Sequence, residues 1–165
     1  MNVLTKILAF FSIKTETRLL YMEAFCYLGY ARILKLLPFS KVAPSLGEHM
    51  NETSTIHLTS DKAIIKNVSH AIHLMSRYTF WESQCLVKAI AGMRMLNRRH
   101  IDSTLYLGTA RDESGKMIAH AWLRSGPFYV SGSEGMEKFT VVSMFANRAS
   151  DKRVEGESNG EKSGS

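Results

Sequence analysis

The chain has only two cysteines in 165 residues, Cys26 and Cys85, and they are not in CxxC spacing. That excludes a disulfide framework and a cysteine-pair zinc motif, and it fits a reducing compartment where a free thiol survives. Long apolar runs are missing as well: none approaches the roughly 18 residues a membrane span needs. The N-terminal stretch Val3 to Ile13 is rich in Leu, Ile and Phe, but Lys6 interrupts it. No basic segment precedes it, and no small-residue cleavage site follows before Lys14, so it does not read as a signal peptide. These absences predict a cytoplasmic protein, with contact to a membrane surface or a partner left to its apolar N-terminus. No internal repeat is visible.

What is present is the composition of a globular domain, 45% hydrophobic and 22% charged, at a length suited to one core rather than two. The net charge is +6, although the last fifteen residues, Asp151 to Ser165, hold four acidic and three basic residues. The positive surface therefore belongs to the part before them. It would favour acidic peptides, anionic lipid or nucleic acid, and charge alone selects none of the three. The densest cationic cluster, Arg94, Arg98, Arg99 and His100, falls at a predicted helix end, where it complements the helix dipole as a solvated last turn.

Apolar residues recur at helical spacing through 2–37, among them Leu19, Leu20, Ala24, Tyr27, Leu28, Ala31 and Leu34. Pro38 and Pro44 bracket a break, and 38–59 is a polar connection. Ser60-Asp61 is a plausible cap for a second helix with Ile64, Val68, Ile72, Met75 and Thr79 on one face, fading near Tyr78. A third helix, about 83–99, is apolar most of the way round, the pattern of a buried helix. Strands follow at 104–109, 117–124, 128–131 and 139–145, the first two joined by the turn Asp112 to Lys116. Helices followed by an antiparallel sheet predict an α+β domain. The boundaries read from this are an N-terminal helical region 1–37, the connection 38–59, a core 60–149, and a polar tail 150–165 whose Gly, Ser, Glu and Lys content predicts disorder.

Cys85 opens the buried helix, and His120 lies on a strand with Ile118 and Trp122 on its face, Ala119, Ala121 and Leu123 on the other. A thiolate attacks carbonyls, and the partial positive charge of a helix N-terminus favours that form. A neighbouring imidazole completes the activation and can protonate a leaving amine. Cys26, among Phe25, Tyr27 and Leu28, is assigned to the core. His70 and His73 sit three apart on one helix without a third ligand nearby, so no metal site is expected. A third residue usually orients the imidazole. The strand after His120 offers no Asp or Asn, which leaves Ser131, Glu134 or a backbone carbonyl for that task.

Cys on a helix followed by His on a strand is the chain order of papain-like and transglutaminase-like enzymes. More specifically, the chain resembles the stand-alone transglutaminase-like leader peptidases of lasso-peptide biosynthesis. The resemblance covers about 15–146 and is carried by Glu23-Ala24, Leu36-Leu37-Pro38-Phe39, Phe80 to Leu86, Met95 to Ile101, Leu105 to Gly108 and above all Ala119-His120-Ala121-Trp122-Leu123-Arg124. It extends to Val130-Ser131-Gly132 and Phe139 to Val142. It implies a transglutaminase-like/papain-like cysteine-protease core, needing no cofactor, in which Cys85 is the nucleophile and His120 the general base. Family members often carry an Asp where this chain has Ser131-Gly132. The resemblance further implies a precursor-peptide leader as substrate, held by a separate leader-recognition protein because no fused module is legible, and a cyclase that closes the freed core peptide. Nucleic acid is not among the implied partners. Two other readings use the same residues: an acyl transferase that resolves a Cys85 thioester with an amine, and a non-catalytic leader- or partner-binding scaffold with a vestigial Cys-His pair. The surplus of apolar residues in 3–37, interspersed with Lys6, Lys14, Arg18, Arg32 and Lys35, suits a docking face.

Overall fold

The computed structural model describes residues 13–56 and 61–149. Helix α1, Thr15–Leu34, is followed by a single turn, α2, Phe39–Val42, and a 3₁₀ turn at Ala43–Ser45. Strand β1, Glu48–His49, comes next, then helices α3, Asp61–Met75, and α4, Cys85–Asn97. The remaining elements are β2 (Ser103–Arg111), β3 (Met117–Ser125), β4 (Phe128–Ser131), a 3₁₀ turn at Met136–Lys138, and β5 (Thr140–Asn147). Helices pack on an antiparallel five-stranded sheet of order β1-β5-β2-β3-β4, the α+β architecture expected.

The helix layer is built around α4, which is buried along Val87, Ala89, Ile90, Ala91, Gly92, Met93, Met95 and Leu96. Gly92 lets it approach the sheet closely, since a Cβ there would lie 2.9 Å from Leu123 Cδ2. Alternation along β3 then turns Ala121 and Leu123 toward the helices and His120, Trp122 and Arg124 to the other face. Tyr21, Ala24, Leu28 and Ala31 of α1 follow one helical stripe into the same core. Beside α4, Glu23 receives both arms of Arg99, at 2.9 and 2.6 Å. A fork-to-fork pair of this kind fixes angle as well as distance. Arg94 meanwhile donates to the Ser45 carbonyl at 3.0 Å. Two members of the cationic cluster are thus ties between elements, not a solvated turn.

On the outer face, the buried Arg124 donates from Nε to the Tyr106 hydroxyl at 2.9 Å and to the carbonyls of Gly126 and Thr53 at 2.8 and 3.1 Å. The Tyr106 hydroxyl in turn donates to Glu52 at 2.9 Å. This network ties residues 52–54 across the sheet. Burial pushes the Tyr106 phenol above its ordinary range, more than the Arg124 guanidinium lowers it.

Several details differ from the sequence reading. Cys26 is exposed, not core, because it falls on the side of α1 away from α4. The buried line of α3 runs through Ile65, Val68, Ala71 and Ile72, while Ile64 is exposed. A doublet of isoleucines leaves the helical phase ambiguous by one residue. Strand β1 has only two residues, Glu48↔Ala146 and His49↔Phe145, too few to carry an alternation. The expectations for residues 1–12, for Ser60 as a cap and for the tail 150–165 fall outside the described residues, as does His57. Among the described residues, no helix is long and apolar enough to cross a membrane.

Candidate active site

Cys85 is the first residue of α4, reached through a loop that Thr79 shapes by bonding to Ser83 Oγ at 2.8 Å and to the carbonyls of Ser76 and Trp81. The residue before it, Gln84, is extended and makes no side-chain capping bond. The opening N–H groups of a helix have no intrahelical acceptors, so those around Cys85 stay available for an external one. The thiol itself is partly exposed.

His120 lies near the middle of β3, opposite Gly108 of β2. That glycine makes the local packing feasible: a Cβ there would lie 2.9 Å from both the Trp122 ring and Phe139. Trp122 stacks on Tyr106 at 5.5 Å between centroids, and the His120 ring sits 5.9 Å from Trp122 and 4.9 Å from Phe139. The imidazole is therefore walled by aromatic rings and has little rotational freedom.

Its polar contact is with the main chain. His120 Nε2 lies 2.8 Å from the Gly132 carbonyl oxygen. A carbonyl only accepts, so Nε2 carries the proton and Nδ1 is left as the basic nitrogen. Gly132 reaches this position with φ of 74°, and a Cβ on it would sit 2.3 Å from the Ala121 oxygen. Only glycine fits there. Behind it, Ser69 of α3 donates to the Val130 carbonyl at 2.7 Å, which fixes the end of β4 against the helix layer.

Cys85 and His120 line one cleft of about 200 Å³, just beyond the end of β4, with His73, Lys88, Gly132, Ser133 and Glu134. They share it without a hydrogen bond between thiol and imidazole, a contact that often forms only when substrate is bound. Family-model comparison identifies the fold around them: the model of the transglutaminase-like superfamily matches residues 33–144. The chain belongs to the transglutaminase-like superfamily. Most enzymes of this superfamily are cysteine peptidases or acyltransferases, which points to thiol-based acyl chemistry for the fold. No curated protein and no solved structure matches the chain.

Within this transglutaminase-like fold, Ser131 and Glu134 have different surroundings. Ser131 is buried and its hydroxyl has no partner among the described residues. Glu134 is exposed on the cleft wall. The bond that His120 makes goes to neither side chain but to the Gly132 carbonyl between them. The sequence had offered His73 only as half of a metal pair and Ser133 only as a polar neighbour of His120, and it gave no reason to place Lys88 in the cleft. Three residues along a helix from Cys85 is the same face, but spacing does not say what that face meets. His73 came from a separate helix, and its Nδ1 is bonded to the Ser69 carbonyl at 2.8 Å, leaving Nε2 free. His70 instead faces Tyr21, 3.4 Å from its hydroxyl. Among the described residues no cluster of three or more His, Cys, Asp or Glu could hold a metal ion.

Proposed function

We propose that this transglutaminase-like chain is a cysteine endopeptidase that removes the leader from a ribosomally made lasso-peptide precursor. The observation that carries the chemistry is the shared cleft of Cys85 and His120, with the imidazole tautomer set by the Gly132 carbonyl. In this reading the Cys85 sulfur attacks the scissile carbonyl while its proton passes to Nδ1 of His120. The tetrahedral oxyanion takes hydrogen bonds from the uncapped N–H groups at the start of α4. The C–N bond then breaks as the imidazolium delivers its proton to the leaving amine, which frees the core peptide and leaves the leader as a thioester on Cys85. Water, deprotonated by His120, attacks the thioester. The leader departs with a free carboxylate and Cys85 regains its proton.

The choice of substrate rests on the motif likeness, above all Ala119 to Arg124, with Phe80 to Leu86. It brings with it a separate leader-recognition protein and a cyclase as partners. The test uses a lasso-type precursor peptide, with a leader-recognition protein added. Wild type should release the leader, and Cys85→Ala should abolish release while keeping the same circular dichroism. Release at the wild-type rate by that variant would overturn the assignment. The superfamily's acyltransferases keep a second reading in play, in which an amine and not water resolves the thioester. Mass spectrometry separates the two, because hydrolysis leaves a leader carboxylate and aminolysis an amide.

A further inference from the structure

Lys88 stands one turn beyond Cys85 on α4 and lines the same cleft. It is half-buried, yet among the described residues its ammonium makes no ion pair and no hydrogen bond. A cation withdrawn in part from water ordinarily gains a counter-charge. One stands near: Glu134 lines the cleft too, and among the described residues it is likewise unpaired. The two are held apart, so Lys88 keeps its charge for a group that arrives with the substrate.

The rest of the cleft says which sign of charge it attracts. His73 and His120 each have one ring nitrogen on a main-chain carbonyl, of Ser69 and Gly132, and Ser133 is neutral. Glu134 has the opposite sign, but it is exposed, and a charge in open solvent is screened within about 8 Å. The half-buried Lys88 is screened less, so its charge dominates. Geometry says where the partner comes from. Residues three apart on a helix hold their Cβ atoms about 5–6 Å apart, and an extended peptide advances about 3.3 Å per residue. A carboxylate seated on Lys88 therefore belongs to a side chain within about two positions of the carbonyl that Cys85 attacks. An ammonium is a point charge with rotatable donors, so Asp and Glu both fit.

We propose that Lys88 is a specificity-determining residue that seats an acidic side chain of the substrate peptide, within two positions of the scissile bond; this rests on the peptidase reading above. Its first test needs no peptide cleavage. Iodoacetate and iodoacetamide alkylate the same thiolate, but only iodoacetate carries a carboxylate, so the ratio of their rates does not depend on how acidic the thiol is. Exposed Cys26 supplies the reference within the same full chain. The ratio at Cys85, read by mass spectrometry of the digested chain, should exceed that at Cys26 by at least about threefold. It should fall to the Cys26 level in Lys88→Gln and survive in Lys88→Arg. The second test uses precursor peptides with Asp or Asn at each of the two positions on either side of the scissile bond. Asp should be preferred at one of them through a lower KM, and Lys88→Glu should turn that preference toward Lys. Equal ratios at the two cysteines overturn the proposal, as does a ratio that Lys88→Gln leaves in place. Wild-type cleavage indifferent to Asp at all four positions overturns it too. A Lys88→Gln variant that slows both reagents alike assigns the lysine to the thiol, which also overturns it. If the alkylation ratio behaves as expected and no precursor is cleaved, the peptidase reading fails while the carboxylate site on Lys88 stands.

Discussion

His120 is held by a main-chain carbonyl, and this has a consequence that a side-chain partner would not. A carbonyl offers direction without charge, so it selects the tautomer but does little to stabilise an imidazolium. The residue that matters is then Gly132, whose left-handed backbone aims the oxygen. Gly132→Ala imposes strain of about 1–3 kcal/mol and a clash with the Ala121 oxygen. The expected outcome is a lower melting temperature together with a fall in precursor cleavage of at least about tenfold, the equivalent of 1.4 kcal/mol on the barrier. Unchanged turnover in a folded variant would show that the carbonyl does not orient the ring. Cys85 and His120 were legible as candidates because helix start and strand position are written in residue type. The Gly132 carbonyl was foreseeable only as an unspecified backbone group, since every residue has one. Cys26 was misplaced for a different reason: with Phe25, Tyr27 and Leu28 around it, apolar character does not tell the inner side of α1 from the outer.

Among the elements, α4 sets the position of Cys85, and Gly92 sets the position of α4 against β3. Alanine at 92 gains about 1 kcal/mol of helix propensity, which offsets the push on Leu123 Cδ2 at 2.9 Å. Valine has no such compensation. Gly92→Val should cost about 1–3 kcal/mol by overpacking against fully buried Leu123, read from thermal melts, while Gly92→Ala stays near wild type. The β2–β3 turn gives a pH prediction. Asp112 accepts from the Ser114 hydroxyl at 2.6 Å and from the N–H groups of Ser114 and Lys116, and the Ser114 hydroxyl foremost holds its carboxyl below the ordinary 3.8. A depressed folded value means the turn is fully supported above the unfolded value and loses support as pH falls through the folded one. The amide resonances of Ser114 and Lys116 should therefore shift on acidification below about pH 4, and Asp112→Asn should remove that transition. The hairpin and the buried helix were legible from their periodicities. The sheet order was not, because nothing in β5 itself says that it passes β3 and β4 to pair with β2.

At the scale of the whole molecule, α1 has two roles that its composition does not separate. Its inner stripe, Tyr21 to Ala31, joins the core, and its outer stripe faces away. A chain beginning at Thr15 keeps the entire helix and should stay folded, with a melting temperature close to that of the full chain. If the residues before it belong to the docking face, that chain also loses cleavage dependent on the leader-recognition protein. Unfolding of the truncated chain, or full partner-dependent cleavage by it, would each rule this out. The surplus of apolar residues in this region was legible, but its division between core and surface depends on which side α4 occupies, a three-dimensional fact.

β5 is late in the chain but sits inside the sheet, bonded on one side to β2 and on the other to β1. Its arrival also brings Phe139 onto the ring of His120. A growing polypeptide can therefore form α1, α3, α4 and the β2–β3 hairpin while the imidazole still lacks one wall and β2 still lacks a neighbour. Pairings this distant along the chain are slow to close, because the loop entropy precedes the contacts that offset it. The aromatic wall is consequently the last part of the cleft to close, and a polypeptide halted before Thr140 should hold Cys85, His120 and the Gly132 carbonyl with the imidazole still open on its β5 side.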